Sequence, residues 1–146
     1  MKPETAFWDT SALVPLCCAQ AGPTTRVRAL LRQFPRPVIW WGTQVEVYSA
    51  LVRLRQEDAM SERELNASIK RWEQLEQIAR EVNPNARVRQ LAKGLPAQYQ
   101  LRALDSFQLA AAMVWCQERP RRRPCICFDD RLCSAAEKVG FTVYPQ

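Results

Sequence analysis

Four short apolar, β-branched or aromatic runs, Ala6–Trp8, Val38–Trp41, Cys125–Phe128 and Phe141–Tyr144, punctuate a chain whose other apolar residues recur at helical spacing. None of the four alternates apolar with polar, so each reads as a strand buried on both faces, the mark of a parallel sheet covered by helices. A further short strand is predicted over Val82–Pro84. Helices are predicted over Ala12–Ala19, Thr24–Phe34, Thr43–Arg55, Ala86–Lys93, Leu104–Gln117 and Asp130–Val139, with Pro35, Pro37 and Gly140 as stops. One more helix opens at Ser61 and carries the stripe Leu65, Ile69, Trp72, Leu75 and Ala79. Thr43-x-x-Glu46 and Ser61-x-x-Glu64 both match the capping box. Val45, Tyr48 and Val52 form the apolar line of the helix after Thr43, Gly94–Pro96 reads as a break, and Leu104–Gln117 is apolar on almost every side.

Strands alternating with helices predict an α/β fold: a three-layer α/β/α sandwich around a central, mainly parallel, twisted sheet, as one domain spanning 1–146. There is no internal repeat and no linker-like tract. In open sheets of this kind ligands bind beyond the carboxyl ends of the strands, where the strand order reverses.

Composition narrows the chemistry. The 146 residues contain no histidine, which excludes Ser-His-Asp triads, histidine acid/base pairs and histidine-containing zinc sites. A net charge of +6 suits a polyanionic partner such as nucleic acid, or serves solubility. Six cysteines lack disulfide-scaffold spacing, and Cys125-x-Cys127 with Cys133 is a poor zinc pattern, so they read as reduced thiols of a cytoplasmic protein. Residues 12–21 have the look of a short signal peptide, with Lys2 ahead and Ala19-Gln20-Ala21 as a cleavage box. Glu4, Asp9 and Pro15 argue against that reading, and no run reaches the ~18 apolar residues of a membrane span.

Four carboxylates are then conspicuous. Asp9 and Asp129 follow strands at their carboxyl ends, and Glu46 and Asp105 fall near helix starts, so all four belong to one end of the domain. Each has a structural explanation: Asp9 and Asp129 as helix caps, Glu46 as the partner of Thr43, and Asp105 as an answer to its helix dipole. Together, four carboxylates at one mouth repel each other unless protons or a hard cation relieve them, and an oxygen-only set suits Mg²⁺ or Mn²⁺.

Phe7-Trp8-Asp9-Thr10-Ser11-Ala12-Leu13-Val14 resembles the opening motif of PIN domains, and Val45-Glu46-Val47-Tyr48-Ser49-Ala50-Leu51 resembles the second. Leu104-Asp105-Ser106-Phe107-Gln108-Leu109-Ala110-Ala111 resembles the third, and Phe128-Asp129-Asp130-Arg131-Leu132, with Ala135, Ala136 and Gly140, the fourth. In order and spacing they cover essentially the whole chain, whose compact length is similar to that of VapC-type ribonuclease toxins. Where the family usually has Thr or Ser two residues before its last acid, this chain has Cys127, a weaker hydrogen-bonding group.

The resemblance implies a metal-dependent endoribonuclease. Asp9, Glu46, Asp105 and Asp129 would be both catalytic and metal-binding, holding one or two Mg²⁺ or Mn²⁺, and the cut would leave a 5′-phosphate and a 3′-hydroxyl. Ser11 is the candidate for orienting Asp9, or else a plain helix cap, and Thr10 ranks below it. Asp130 is expected in solvent. Implied partners are an RNA substrate, with transfer and ribosomal RNA both open, a small antitoxin and a second copy in a homodimer. A PIN nuclease without an antitoxin, a non-cutting binding module and a structural partner are the alternatives. Arg119–Arg123 with Arg131, and Trp40 with Trp41, are candidate RNA contacts, or a solvated loop and core residues.

Overall fold

The computed structural model describes residues 4–20 and 22–146; Lys2 and Ala21 of the signal-like reading lie outside them. The strands are β1 (Thr5–Trp8), β2 (Arg36–Trp40), β3 (Arg80–Val82), β4 (Pro124–Ile126) and β5 (Thr142–Tyr144). The helices are α1 (Thr10–Cys17), α2 (Pro23–Gln33), α3 (Thr43–Gln56), α4 (Glu62–Ile78), α5 (Ala86–Tyr99), α6 (Ala103–Trp115) and α7 (Asp130–Val139).

The strands form one sheet in the order β3-β2-β1-β4-β5, and every pairing is parallel. Two apolar clusters cover its faces. Ala6, Trp8, Ile39 and Ile126 point into a cluster with residues of α1 to α4, while Phe7, Val38, Trp40, Cys125 and Val143 point into one with α5, α6 and α7. The period-2 alternation is therefore present in the strands but invisible as polarity, because both faces are buried. Trp8, Trp72, Phe7 and Leu109 are among the most buried side chains, each contributing roughly 1.5–3 kcal/mol of transfer free energy. Among the described residues no helix is long and apolar enough to cross a membrane.

Four expectations are corrected. Gly94–Pro96 does not break the chain: α5 runs through both and stops at Gln100, whose φ of 57° is left-handed. Pro96 is exposed there and costs the helix one hydrogen bond, less than the gain from Val88, Ala92 and Leu95 packing inward. The short strand lies at Arg80–Val82, ahead of its expected place. Thr43 does not cap α3, because Gly42 does, without a side-chain bond, and the Thr43 hydroxyl is wholly buried. A Cβ at Gly42 would come within 2.6 Å of Trp40 Nε1, so glycine lets β2 turn directly into α3. Finally, Val45, Tyr48 and Val52 face solvent, while Val47 and Leu51 are the buried apolar residues of α3, which packs on α1 and α4.

Candidate active site

β1 lies in the middle of the sheet with β2 on one side and β4 on the other, so the strand order reverses at its carboxyl end. The acids gather at the carboxyl edge of these strands. Asp9 directly follows β1, its N–H still bonded to the Ile126 carbonyl of β4 at 3.0 Å, and it is only 5% exposed. Asp129 is the N-cap of α7, Oδ1 accepting the Leu132 N–H at 2.9 Å. Glu46 and Asp105 stand in the first turns of α3 and α6. Glu46, Asp105 and Asp129, with Asp130, Arg102, Ala103, Leu104 and Arg131, line an open cavity of about 660 Å³.

Asp9 sits beneath them in a fixed pose. Its Oδ2 accepts both the N–H of Ser11 at 3.1 Å and the Ser11 hydroxyl at 2.6 Å, so it caps α1 as any well-placed Asp would. Ser11 also accepts the Phe128 N–H at 2.9 Å, which ties the end of β4 to the start of α1. Cys127 places Sγ 3.8 Å from Asp9 Oδ2 and 3.5 Å from the Asp129 carbonyl, ordinary distances for sulfur, but a thiol is a weak donor and adds little to the hold on either residue.

Glu46 is held by a residue absent from the expected site. Gln108, on α6 one turn after Asp105 and 1% exposed, reaches with Nε2 to Thr43 Oγ1 at 2.9 Å, Glu46 Oε2 at 3.1 Å and Thr10 Oγ1 at 3.2 Å. Thr10 in turn donates to Glu46 Oε1 at 3.2 Å. Thr43 thus serves α3 from its buried side instead of capping it. Gln108 was detectable in one respect: it is a lone amide inside an apolar helix, three residues after Asp105 and so on the same face. Its own Oε1 has no partner.

Electrostatics mark the same place. Burial raises the Asp9 carboxyl above its ordinary range against the pull of Ser11, and the charges of Asp105 and Asp129 push the same way. Burial also raises Glu46 from 4.5 to about 7, with Asp9 and Asp105 adding to it and Gln108 and Thr10 opposing. Asp105 is raised by burial and by Asp129. A carboxyl whose folded pKa exceeds its unfolded one keeps a proton that the unfolded chain has released, so stability falls as pH rises between the two values. In metal-free buffer the melting temperature is therefore expected to fall from about pH 5 to about pH 7.5. Glu46→Gln should remove on the order of 1–2 kcal/mol of that loss, a discounted figure for a partly exposed group. A pH profile identical to wild type would show that Glu46 titrates normally.

The donors are all hard oxygens bearing negative charge, which fits a divalent cation of the Mg²⁺ class in kind. The set is not preassembled: among the described residues no three Asp, Glu, Cys or His side chains stand close enough together to hold one ion as they are. The remaining candidates separate clearly. Trp40 is buried and stacked on Phe107, with centroids 5.6 Å apart, whereas Trp41 is exposed. Asp130 is exposed as expected, and the Arg119–Arg123 loop precedes β4, at the sheet edge opposite the acids.

No protein-family model matches the chain, and no curated protein matches it in sequence. Solved structures do match. A toxin–antitoxin complex from Klebsiella pneumoniae aligns over 85% of this chain and 86% of its own, at 18% identity and a TM-score of 0.60. VapC20 of Mycobacterium tuberculosis, a sarcin-ricin loop cleaving toxin, aligns over 94% and 96%, at 16% identity and a TM-score of 0.66. The chain has the VapC-type PIN fold. In this PIN fold the acids occupy the carboxyl edge of the central strands.

Proposed function

We propose that the chain is a metal-dependent endoribonuclease and the toxin of a VapBC-type toxin–antitoxin pair. The observation that carries this is the gathering of Asp9, Glu46, Asp105 and Asp129 from four separate elements to one edge of a PIN-fold sheet, where burial and mutual repulsion raise three of them. The parallel sheet alone brings helix caps to this edge, but a cap is best left in solvent, whereas these acids are partly buried and close enough to raise one another, as ligands of a shared cation would be.

Asp9, Glu46, Asp105 and Asp129 would hold one or two Mg²⁺ or Mn²⁺ ions. When bound, such an ion supplies Lewis acidity to water and to phosphate oxygens. The chain's own residues supply position: Ser11 fixes Asp9, Gln108 and Thr10 fix both oxygens of Glu46, and the α7 cap fixes Asp129. VapC20 is named for cleaving the sarcin-ricin loop, which supports a structured RNA loop, ribosomal or transfer RNA, as substrate. The toxin–antitoxin complex supports a protein inhibitor, and the exposed Trp41, Val45, Tyr48 and Val52 offer apolar surface for that inhibitor or for a second copy. Six unpaired cysteines fit the reducing cytoplasm.

Purified protein incubated with total RNA should cut it in Mn²⁺ and leave it whole in EDTA. Identical RNA patterns in the two would turn the reading toward a binding module.

A further inference from the structure

The acid cavity carries two cations that the proposed mechanism leaves without a task. Arg102 is the residue before α6, three positions ahead of Asp105, and Arg131 is the second residue of α7, two positions after Asp129. Both line the cavity and both are exposed. Both act electrostatically on Asp105, yet neither closes an ion pair within 4.0 Å. The ion pairs among the described residues are Arg36–Glu4, Arg55–Asp58 and Arg87–Glu118.

A second cavity, of about 280 Å³, shares Asp130 and Arg131 with the first and is also lined by Tyr99 and Lys138. Arg131 and Lys138 are seven residues apart on α7, two turns along one face, about 10 Å by helical rise. A path of cations therefore leads from Arg102 across the acids to Arg131 and on along α7 to Lys138. The arginine-rich 119–123 loop cannot supply these contacts, since it lies at the other edge of the sheet. A mouth edged by four carboxylates repels a polyanion unless cations flank it, and a guanidinium free of carboxylate partners offers a fork of donors to phosphate oxygens.

We propose that Arg102, Arg131 and Lys138 form a phosphodiester-binding track, with Arg102 and Arg131 seating RNA phosphates on either side of the acids and Lys138 guiding the strand away over α7. This rests on the ribonuclease reading. The track binds and positions substrate; it takes no part in bond breaking.

The test uses a labelled RNA hairpin with a single-stranded loop of roughly 15 nucleotides, its affinity followed by anisotropy in EDTA and its cleavage followed in Mn²⁺, across about 50 to 400 mM KCl. Wild type should show log affinity falling linearly with log salt. Arg102→Gln, Arg131→Gln and Lys138→Gln should each reduce that slope by about 0.7, and the triple variant by about 2, with KM rising more than kcat falls. Arg131→Lys should keep the slope, and Arg121→Gln, on the far edge, should match wild type. A triple variant with wild-type slope and KM, in a wild type that binds and cuts, overturns the track alone; that is also the result expected if these cations seat a protein partner's carboxylates. An equal loss of slope in Arg121→Gln overturns the localisation. Wild type with no RNA affinity at low salt removes the ribonuclease reading and the track together.

Discussion

Asp9→Asn is expected to lose at least ~10³-fold of RNA cleavage, a barrier increase of about 4 kcal/mol, while the protein melts no lower than wild type at neutral pH. The two halves have separate causes. Asn keeps an acceptor for the Ser11 N–H and is among the best N-cap residues, so α1 retains its cap. It also removes a buried charge that the surrounding acids disfavour. What Asn cannot supply is a full negative charge to a hard cation. RNA cleavage kinetics together with a thermal melt decide the matter: an Asp9→Asn protein as active as wild type takes Asp9 out of the site, and one that is inactive only because it is unfolded says nothing for the chemistry.

Gln108→Glu should be the most damaging single exchange near the site despite its near-identical shape. Nε2 would be replaced by a carboxylate oxygen about where it now lies 3.1 Å from Glu46 Oε2, in a position 1% exposed. Two carboxylates that close cannot both ionise, so we expect a loss of roughly 3–5 kcal/mol at pH 8, partly recovered on acidification as the pair shares a proton. Gln108→Leu should cost less, about 1–3 kcal/mol, because it strands Thr43 and Glu46 without adding charge and relieves the unpartnered Oε1. Its cleavage should nonetheless fall roughly 10- to 100-fold, since Glu46 loses one of its two anchors. Denaturant melts of both variants at two pH values check the order; Gln108→Glu as stable as Gln108→Leu at pH 8 would mean that the amide does not face Glu46.

These two residues also show what the bare chain discloses. Asp9 follows Phe7-Trp8, an apolar run ending in a carboxylate, and strand ends are written locally, so both the parallel sheet and the placement of Asp9 and Asp129 at one edge could be read directly. Gln108 could not be read in the same way, because its three partners come from the start of α1 and the start of α3, and periodicity along α6 holds no record of them. Thr43 misled for the related reason that a Thr three residues before a Glu looks like a cap whichever way its hydroxyl turns. In α3 the apolar line at 45, 48 and 52 was a true stripe on the wrong side: apolar spacing reports a surface to be covered, not whether this chain or another molecule covers it. Pro96 misled because a breaker acts in proportion to what opposes it, and in α5 three buried residues oppose it.

The central place of β1 has a bearing on timing. It precedes the other four described strands in the chain, yet Ser11 at its exit grips Phe128, 117 residues further along. A nascent chain short of α7 carries Asp9 without Asp129 and without the Phe128 N–H that Ser11 grips, so it holds no complete mouth. On the toxin reading proposed above, activity is withheld until α7 has been made, an interval in which a co-produced inhibitor can already be folded and waiting.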